Sequence, residues 1–129
     1  MDEDRRFGQG FVPGRHQIDS YGQGGFRFAG MSHKGSILAL PSGIVAWSVA
    51  SAHELNAEDL REALAETPKI DFLLVGTGLD ILPLPEALRL PFREAGISID
   101  GMQTGAAART YNILVAENRR VGAALIAVA

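Results

Sequence analysis

The sequence lacks cysteine and any apolar run long enough to cross a membrane. Without cysteine there is no disulfide scaffold, no thiolate nucleophile and no cysteine-based metal site. The longest apolar segments, residues 70–75 and 121–129, fall far short of the roughly 20 residues that a membrane-spanning helix requires. The N-terminus opens with acidic residues rather than with the basic start and apolar stretch of a secretory signal. These absences favour a soluble protein, and we expect it in the cytoplasm.

Positive charge is also scarce, since 12 basic residues face 15 acidic ones for a net charge of −3. Nucleic-acid binding usually needs a basic stripe, so nucleic-acid partners are not expected. His16, His33 and His53 lie at no spacing that suits metal ligation, and no Gly-x-Ser-x-Gly motif marks a serine nucleophile. The sequence therefore predicts no metal, no cofactor and no catalytic residue.

Glycine, by contrast, is plentiful near the N-terminus, where aliphatic residues are few. Such a segment buries too little apolar surface to offset the entropy that is lost when it becomes ordered. We predict a flexible N-terminal tail over residues 1–17 and one domain over residues 18–129. A chain of this length folds as a single domain without cross-links.

The domain alternates strand patterns with helix patterns. Phe26 and Phe28 flank Arg27, as in a strand with one apolar face, and residues 36–40 follow as a second strand after a turn at residues 32–35. Further strand-like segments, rich in β-branched and aliphatic residues, are 44–49, 70–75, 97–99 and 121–128. Helix-like segments are 56–67, 84–95 and 104–116. This order predicts an α/β fold with helices packed on the faces of a sheet and an N-terminal β-hairpin.

Four side chains carry more specific expectations. Pro91 should kink or restart the middle helix. Trp47 and Tyr111 should lie in the core, with the Tyr111 hydroxyl bonded there. Asn112 follows on the same helix and is expected to tie a neighbouring loop to it.

Four segments together resemble a known family. They are Ile18-Asp19-Ser20-Tyr21-Gly22, Gly43-Ile44-Val45-Ala46-Trp47, the run from Asp71 to Gly78, and the run from Met102 to Leu114. In these segments the chain resembles the family that includes the mitochondrial respiratory complex I assembly factor three and the adipogenesis-associated domain protein. The family also has many bacterial members. The resemblance implies a three-layer fold with a central mixed sheet of five strands, and it implies no catalytic residues. Family members commonly carry an acidic residue just before the methionine, whereas here Asp100-Gly101 precedes Met102.

Two loops are the candidates for a ligand site. Gly76-Thr77-Gly78 ends the apolar strand 70–75, and its glycines let a ligand approach the backbone. Residues 102–109 open the last helix, where Thr104 is expected to cap the helix and Arg109 to contact a carboxylate or phosphate. If the strands before these loops are parallel neighbours, both loops emerge at one edge of the sheet and expose unpaired main-chain donors there. The predicted ligand-binding residues are Gly76, Thr77, Gly78, Met102, Thr104, Gly105 and Arg109.

Each loop also has a purely structural interpretation. The first lacks the third glycine of a dinucleotide fingerprint and the lysine of a Walker loop, so it is consistent with a tight turn. In the second, Thr104 can be a cap alone, and Arg109 can pair with a nearby acid.

Overall, the sequence favours a non-enzymatic binding or assembly-type protein, and the resemblance implies a role in maturation of a respiratory or membrane complex. One alternative is an enzyme or sensor for a small anionic metabolite bound in the crevice between the two loops. Another is a homo-oligomer whose main surface is its own interface. The expected partner is a protein or a small anionic ligand.

Overall fold

The computed structural model describes residues 12–129, which form nine strands and three α-helices. The strands are β1 Val12–Pro13, β2 Ser20–Gly22, β3 Gly25–Phe28, β4 Met31–Lys34, β5 Ser36–Leu40, β6 Gly43–Trp47, β7 Phe72–Gly76, β8 Ser98–Met102 and β9 Val121–Leu125. The helices are α1 Arg61–Ala65, α2 Glu86–Glu94 and α3 Thr104–Ala116. Two short 3-10 helices, Ala52–Glu54 and Ala57–Leu60, precede α1.

The strands form two sheets. The main sheet has the order β1-β6-β5-β9-β7-β8, and the small sheet has the order β2-β3-β4. In the main sheet β7 runs parallel to both β8 and β9, while the remaining pairs are antiparallel. The predicted α/β class with a mixed central sheet is therefore confirmed. The sheet has six strands rather than five, because the two-residue β1 adds to the edge beside β6.

Three layers surround two apolar clusters, one on each face of the main sheet. Strand β7 shows why, because its residues alternate between the faces. Leu73 and Val75 pack in the cluster beneath α1 and α2, whereas Leu74 packs in the cluster beneath α3 and the small sheet. Trp47 lies in the first of these clusters, where its indole Nε1 donates to the carbonyl of Asp59 at 2.9 Å, so its predicted core position is confirmed.

The predicted hairpin partner is wrong. Strand β3 pairs with β4 rather than with β5, and the turn lies at Ala29-Gly30, where both residues have positive φ (51° and 74°). Two consecutive positive φ values match the twist that a tight two-residue hairpin needs. Strand β5 is buried along its whole length and belongs to the main sheet between β6 and β9.

Local signals set several helix ends. Asn56 and Asp59 form a reciprocal capping box before α1, since each side chain accepts from the other's main-chain N–H. Gly96, with φ of +77°, follows α2 as predicted. Pro91 does not restart α2, which runs unbroken through it. The carbonyl that proline leaves without a helical partner belongs to Ala87, which is exposed to water.

Of the predicted tail, residues 1–11 lie outside the described residues. Residues 12–17 contact the domain. Val12 and Pro13 pair with β6, and the main-chain N–H of Gly14 donates to the carbonyl of Ser42 at 2.9 Å.

Candidate functional site

The two candidate loops meet at one edge of the main sheet. Strands β7 and β8 are parallel neighbours in a register that places Gly76 beside Met102, so both loops leave the sheet at its carboxyl end. The predicted pairing of these strands is confirmed. The loops are joined directly, because the N–H of Thr77 donates to the carbonyl of Met102 at 2.8 Å and the N–H of Thr104 donates to the carbonyl of Gly78 at 2.9 Å.

The side chain of Thr104 joins the two loops. Its hydroxyl Oγ1 accepts from the N–H of Gly78 at 3.0 Å and donates to the carbonyl of Ile126 at 2.7 Å. Thr104 is fully buried, so no water replaces these partners. One hydroxyl thereby links the end of β7, the start of α3 and the segment after β9.

The hydroxyl of Thr77 also bonds to main-chain groups, in this case within its own loop. Its Oγ1 donates to the carbonyl of Asp80 at 2.6 Å and accepts from the N–H of Leu82 at 3.3 Å. The loop that begins at Thr77 is therefore folded back on its own base. Thr77 is itself buried.

These bonds overturn two expectations about the loops. The main-chain donors of Thr77, Gly78 and Thr104 are all paired inside the protein, so they are not open to an anion. Thr104 does not cap α3 either, since Gln103 occupies the cap position without a side-chain bond and Thr104 is the first helical residue. The threonine hydroxyl instead binds distant main chain, a partnership that local sequence does not reveal.

Glycine is required at Gly76 because the loops approach so closely. A Cβ at that position would lie 2.9 Å from the Cα of Thr104 and 3.1 Å from Cδ2 of Leu125. The approach to Gly76 is thus filled by the protein's own atoms. Met102 is half-buried and packs against the apolar cluster beneath α3. We call Gly76, Thr77, Gly78, Met102 and Thr104 the closed junction.

Gly105 and Arg109 lie outside the closed junction, one helical turn apart on α3. They line an open groove with a volume of about 310 Å³ between α3 and the N-terminal segment. A Cβ on Gly105 would lie 2.6 Å from Cζ of Tyr21, so the tyrosine ring occupies the space that glycine leaves. Arg109 is exposed, and Asp19 lines the same groove.

Asn112 and Tyr111 hold the N-terminal segment against α3. Asn112 makes two bonds to the main chain of Ile18, accepting from its N–H and donating to its carbonyl, both at 2.8 Å. The buried hydroxyl of Tyr111 donates to the carbonyl of His16 at 2.8 Å. Burial raises the pKa of Tyr111 to about 12, against a smaller lowering by the charge of Arg15. Both interpretations of these residues from sequence are confirmed.

The sequence analysis does not predict two exposed aliphatic side chains that lie beside the closed junction. Leu79 is 68% exposed and Ile81 is 64% exposed. Both lie on the loop that Thr77 anchors, between β7 and α2. A signal was present in the sequence, because residues 79–84 are mostly apolar yet are broken by Pro83 and followed by Pro85, which suits neither a strand nor a helix interior.

The described residues hold no cluster of three or more side chains able to bind a metal ion. Across residues 12–129, no helix combines the length and the apolar character that a bilayer crossing requires.

Comparison with known proteins places most of this chain in a family. A family model described as "Protein of unknown function (DUF498/DUF598)" matches residues 18–126. An uncharacterised protein of Rhodobacter capsulatus is 39% identical over 109 residues, which cover 84% of this chain and 82% of that protein. The Xenopus tropicalis protein named NADH dehydrogenase (ubiquinone) 1 alpha subcomplex assembly factor 3 is 33% identical over 109 residues. The match covers 84% of this chain but 60% of the Xenopus protein, so this chain corresponds to only part of it.

The fold is shared with solved structures. A crystal structure described as an outer membrane protein from Bartonella henselae is 51% identical to this chain, with a TM-score of 0.86. The superposition covers 91% of this chain and 98% of the Bartonella chain. Together these comparisons confirm the resemblance seen in the sequence.

Proposed function

The chain belongs to the DUF498/DUF598 family of proteins of unknown function, and on that premise we propose that it is a non-enzymatic assembly protein. In this proposal it binds a protein partner in the cytoplasm while a respiratory complex matures. The relatives named as NADH dehydrogenase assembly factors support this role.

The observation that carries the proposal is the exposure of Leu79 and Ile81 on an anchored loop. Fully burying one such side chain stabilises a complex by about 1.5–3 kcal/mol. The bonds made by Thr77 fix the base of this loop, so little ordering is needed when a partner binds. Exposed apolar residues that lie together, rather than singly, are typical of protein interaction sites.

We assign the contact to a rim surface made of Tyr21, Leu79, Ile81, Gly105 and Arg109. The bond from the N–H of Thr104 to the carbonyl of Gly78 brings the residues that follow them, Gly105 and Leu79, to neighbouring positions. Tyr21 is 47% exposed and lies over Gly105. Arg109 adds one exposed charge, and arginine and tyrosine are both enriched where proteins bind each other. The closed junction has the supporting role of holding this surface in shape.

The chemistry of the same region favours binding over catalysis. The hydroxyls of Thr77 and Thr104 are both bonded to main chain, so neither is available as a nucleophile. Tyr111 is fully buried and its hydroxyl donates to the carbonyl of His16, so it does not face a molecule bound at the surface.

A complementation experiment tests the proposal. The gene is deleted in the organism's own cells, and the amount of assembled respiratory NADH dehydrogenase in membranes is measured by native electrophoresis and NADH oxidation. We expect a loss that the wild-type gene restores and that the double variant Leu79→Ser/Ile81→Ser does not. The matched control is Ile113→Ser, which changes a 54% exposed residue on the outer side of α3.

Circular dichroism must show that the double variant is folded, so that its failure reports on binding. Full restoration of the complex by the folded double variant would contradict the rim surface as the binding site. Normal assembly in the deletion strain would contradict the assembly role itself. Recovery of the protein from the periplasm in cell fractionation would contradict the cytoplasmic placement.

A further inference from the structure

The small sheet has one face against the core and one face open to solvent. Phe26 and Phe28 are 2% and 1% exposed, so they define the inner face, and Arg27 between them points outward. The strand register extends this outer face across the sheet. Its members are Ser20, Gly22, Gly25, Arg27, Ser32 and Lys34.

This outer face is hollow because glycine occupies its floor. Gly22 has φ of +125°, a conformation that side chains rarely adopt. A Cβ on Gly25 would lie 3.0 Å from the carbonyl carbon of His33 and 3.2 Å from the Cα of Lys34, so the backbone there excludes any larger residue. The result is an open cavity of about 470 Å³ over the sheet, lined by residues of all three strands.

The cavity is positively charged. Arg27 and Lys34 are diagonal neighbours on adjacent strands, roughly 7–8 Å apart, so both side chains are long enough to reach one bound group. Neither forms a salt bridge with any residue in 12–129, and none of the described residues that line the cavity carries a carboxylate. Two cations without a salt-bridge partner among residues 12–129 repel each other on one small sheet, and a bound anion would relieve that repulsion.

The polar side chains of this outer face can all donate hydrogen bonds, and Nη1 of Arg27 donates to Oγ of Ser32 at 2.6 Å. A guanidinium, an ammonium and two serine hydroxyls thus share one face of the small sheet. Such a set of donors suits the several acceptor oxygens of a phosphate group.

We propose that the outer face of the small sheet binds a phosphate group, as a monoester or a diester. Its source is either a soluble phosphorylated metabolite or a phospholipid headgroup. This site uses none of the aliphatic contacts of the rim surface, so its test is independent of the assembly role.

Titration with inorganic phosphate, followed by the amide NMR shifts of the full chain, tests the proposal. We expect shifts at Gly22, Gly25 and Ser32, with acetate giving much weaker effects. Replacing either cation, in Arg27→Gln or Lys34→Gln, should raise the dissociation constant roughly three- to tenfold, since each removes one solvent-screened charged contact. The matched control is Arg61→Gln, which alters an exposed arginine on α1 that pairs with Glu58.

A second arm separates the two sources of phosphate. Flotation with vesicles of phosphatidylglycerol, compared with phosphatidylcholine, measures binding to a phospholipid headgroup. Binding to the anionic vesicles that is lost in the double variant Arg27→Gln/Lys34→Gln supports a lipid source, and phosphate binding without vesicle binding supports a soluble one. Absence of shifts on the small sheet, equal affinity for acetate, or phosphate binding unchanged in the double variant would each overturn the proposal.

Discussion

Replacing Thr104 with valine should destabilise the fold by removing one hydroxyl that serves two partners. The change keeps the shape of the side chain but leaves the N–H of Gly78 and the carbonyl of Ile126 without their bonds. An unpaired buried polar group costs about 1–3 kcal/mol. Gly78 is half-buried, so water compensates part of its loss, and we expect a total of about 2–4 kcal/mol.

Urea unfolding followed by circular dichroism measures this loss. For a chain of this size the free energy of unfolding changes by about 2 kcal/mol per molar urea, so the midpoint should fall by about 1–2 M with an unchanged slope. Thr104→Ser keeps the hydroxyl and loses one buried methyl group, which should cost only about 1 kcal/mol. Thr110→Val makes the same chemical change at a half-buried position on α3 and should have little effect. If Thr104→Val unfolds at the wild-type midpoint, the closed junction does not depend on this hydroxyl and the reasoning fails.

Three further predictions concern the close approach at Gly76, the bonds of Asn112 and the buried phenol of Tyr111. Gly76→Ala forces a Cβ against the backbone of Thr104 and should lower the free energy of unfolding in urea by about 1–3 kcal/mol. Gly105→Ala should cost less, because the ring that its Cβ meets belongs to an exposed side chain, Tyr21. Equal losses for the two variants would refute this account. Asn112→Ala removes both bonds to Ile18 and should speed amide hydrogen exchange at Ile18 and its neighbours; unchanged exchange there would show that Asn112 does not hold the N-terminal segment. Burial raises the pKa of Tyr111 to about 12, whereas the phenol of the unfolded chain has a pKa near 10. The unfolded state therefore loses its proton first as the pH rises. The free energy of unfolding should fall by about 2–3 kcal/mol between pH 10 and pH 12. Urea unfolding over this range should show a smaller fall for Tyr111→Phe, and an identical fall would contradict the assignment.

The sheet and its parallel pair could be predicted because their signal is local. Residues 70–75 form a run that is apolar except for Asp71 and that ends sharply at a glycine, as strands buried on both faces do. The partner of β3 is hard to predict from the sequence because both candidate strands follow turn-forming residues. After Ser36, strand β5 is entirely apolar and needs burial on both of its faces, which the main sheet provides. The glycine turn at Ala29-Gly30 was the better hairpin signal.

The position of the candidate site could be predicted from the sequence, but the hydrogen bonding of its main-chain donors could not. The strand order alone brings Gly76 and Met102 together. Whether the donors there stay open depends on Thr104 and on Ile126, which lies 22 residues further along the chain. The exposure of Leu79 and Ile81 likewise depends on how their loop folds back, because the same apolar side chains could equally have been buried.

Photo-crosslinking in the organism's own cells tests the rim surface most directly. A benzoylphenylalanine replaces Ile81 in one version of the protein and Ile113 in the other, since both positions are well exposed and apolar. We predict that the label at Ile81 crosslinks this chain to one protein, which mass spectrometry identifies as a component of the respiratory NADH dehydrogenase. The label at Ile113 should not form this crosslink. The same adducts from both positions, a link only to a second copy of this chain, or no adduct from Ile81 would contradict the account.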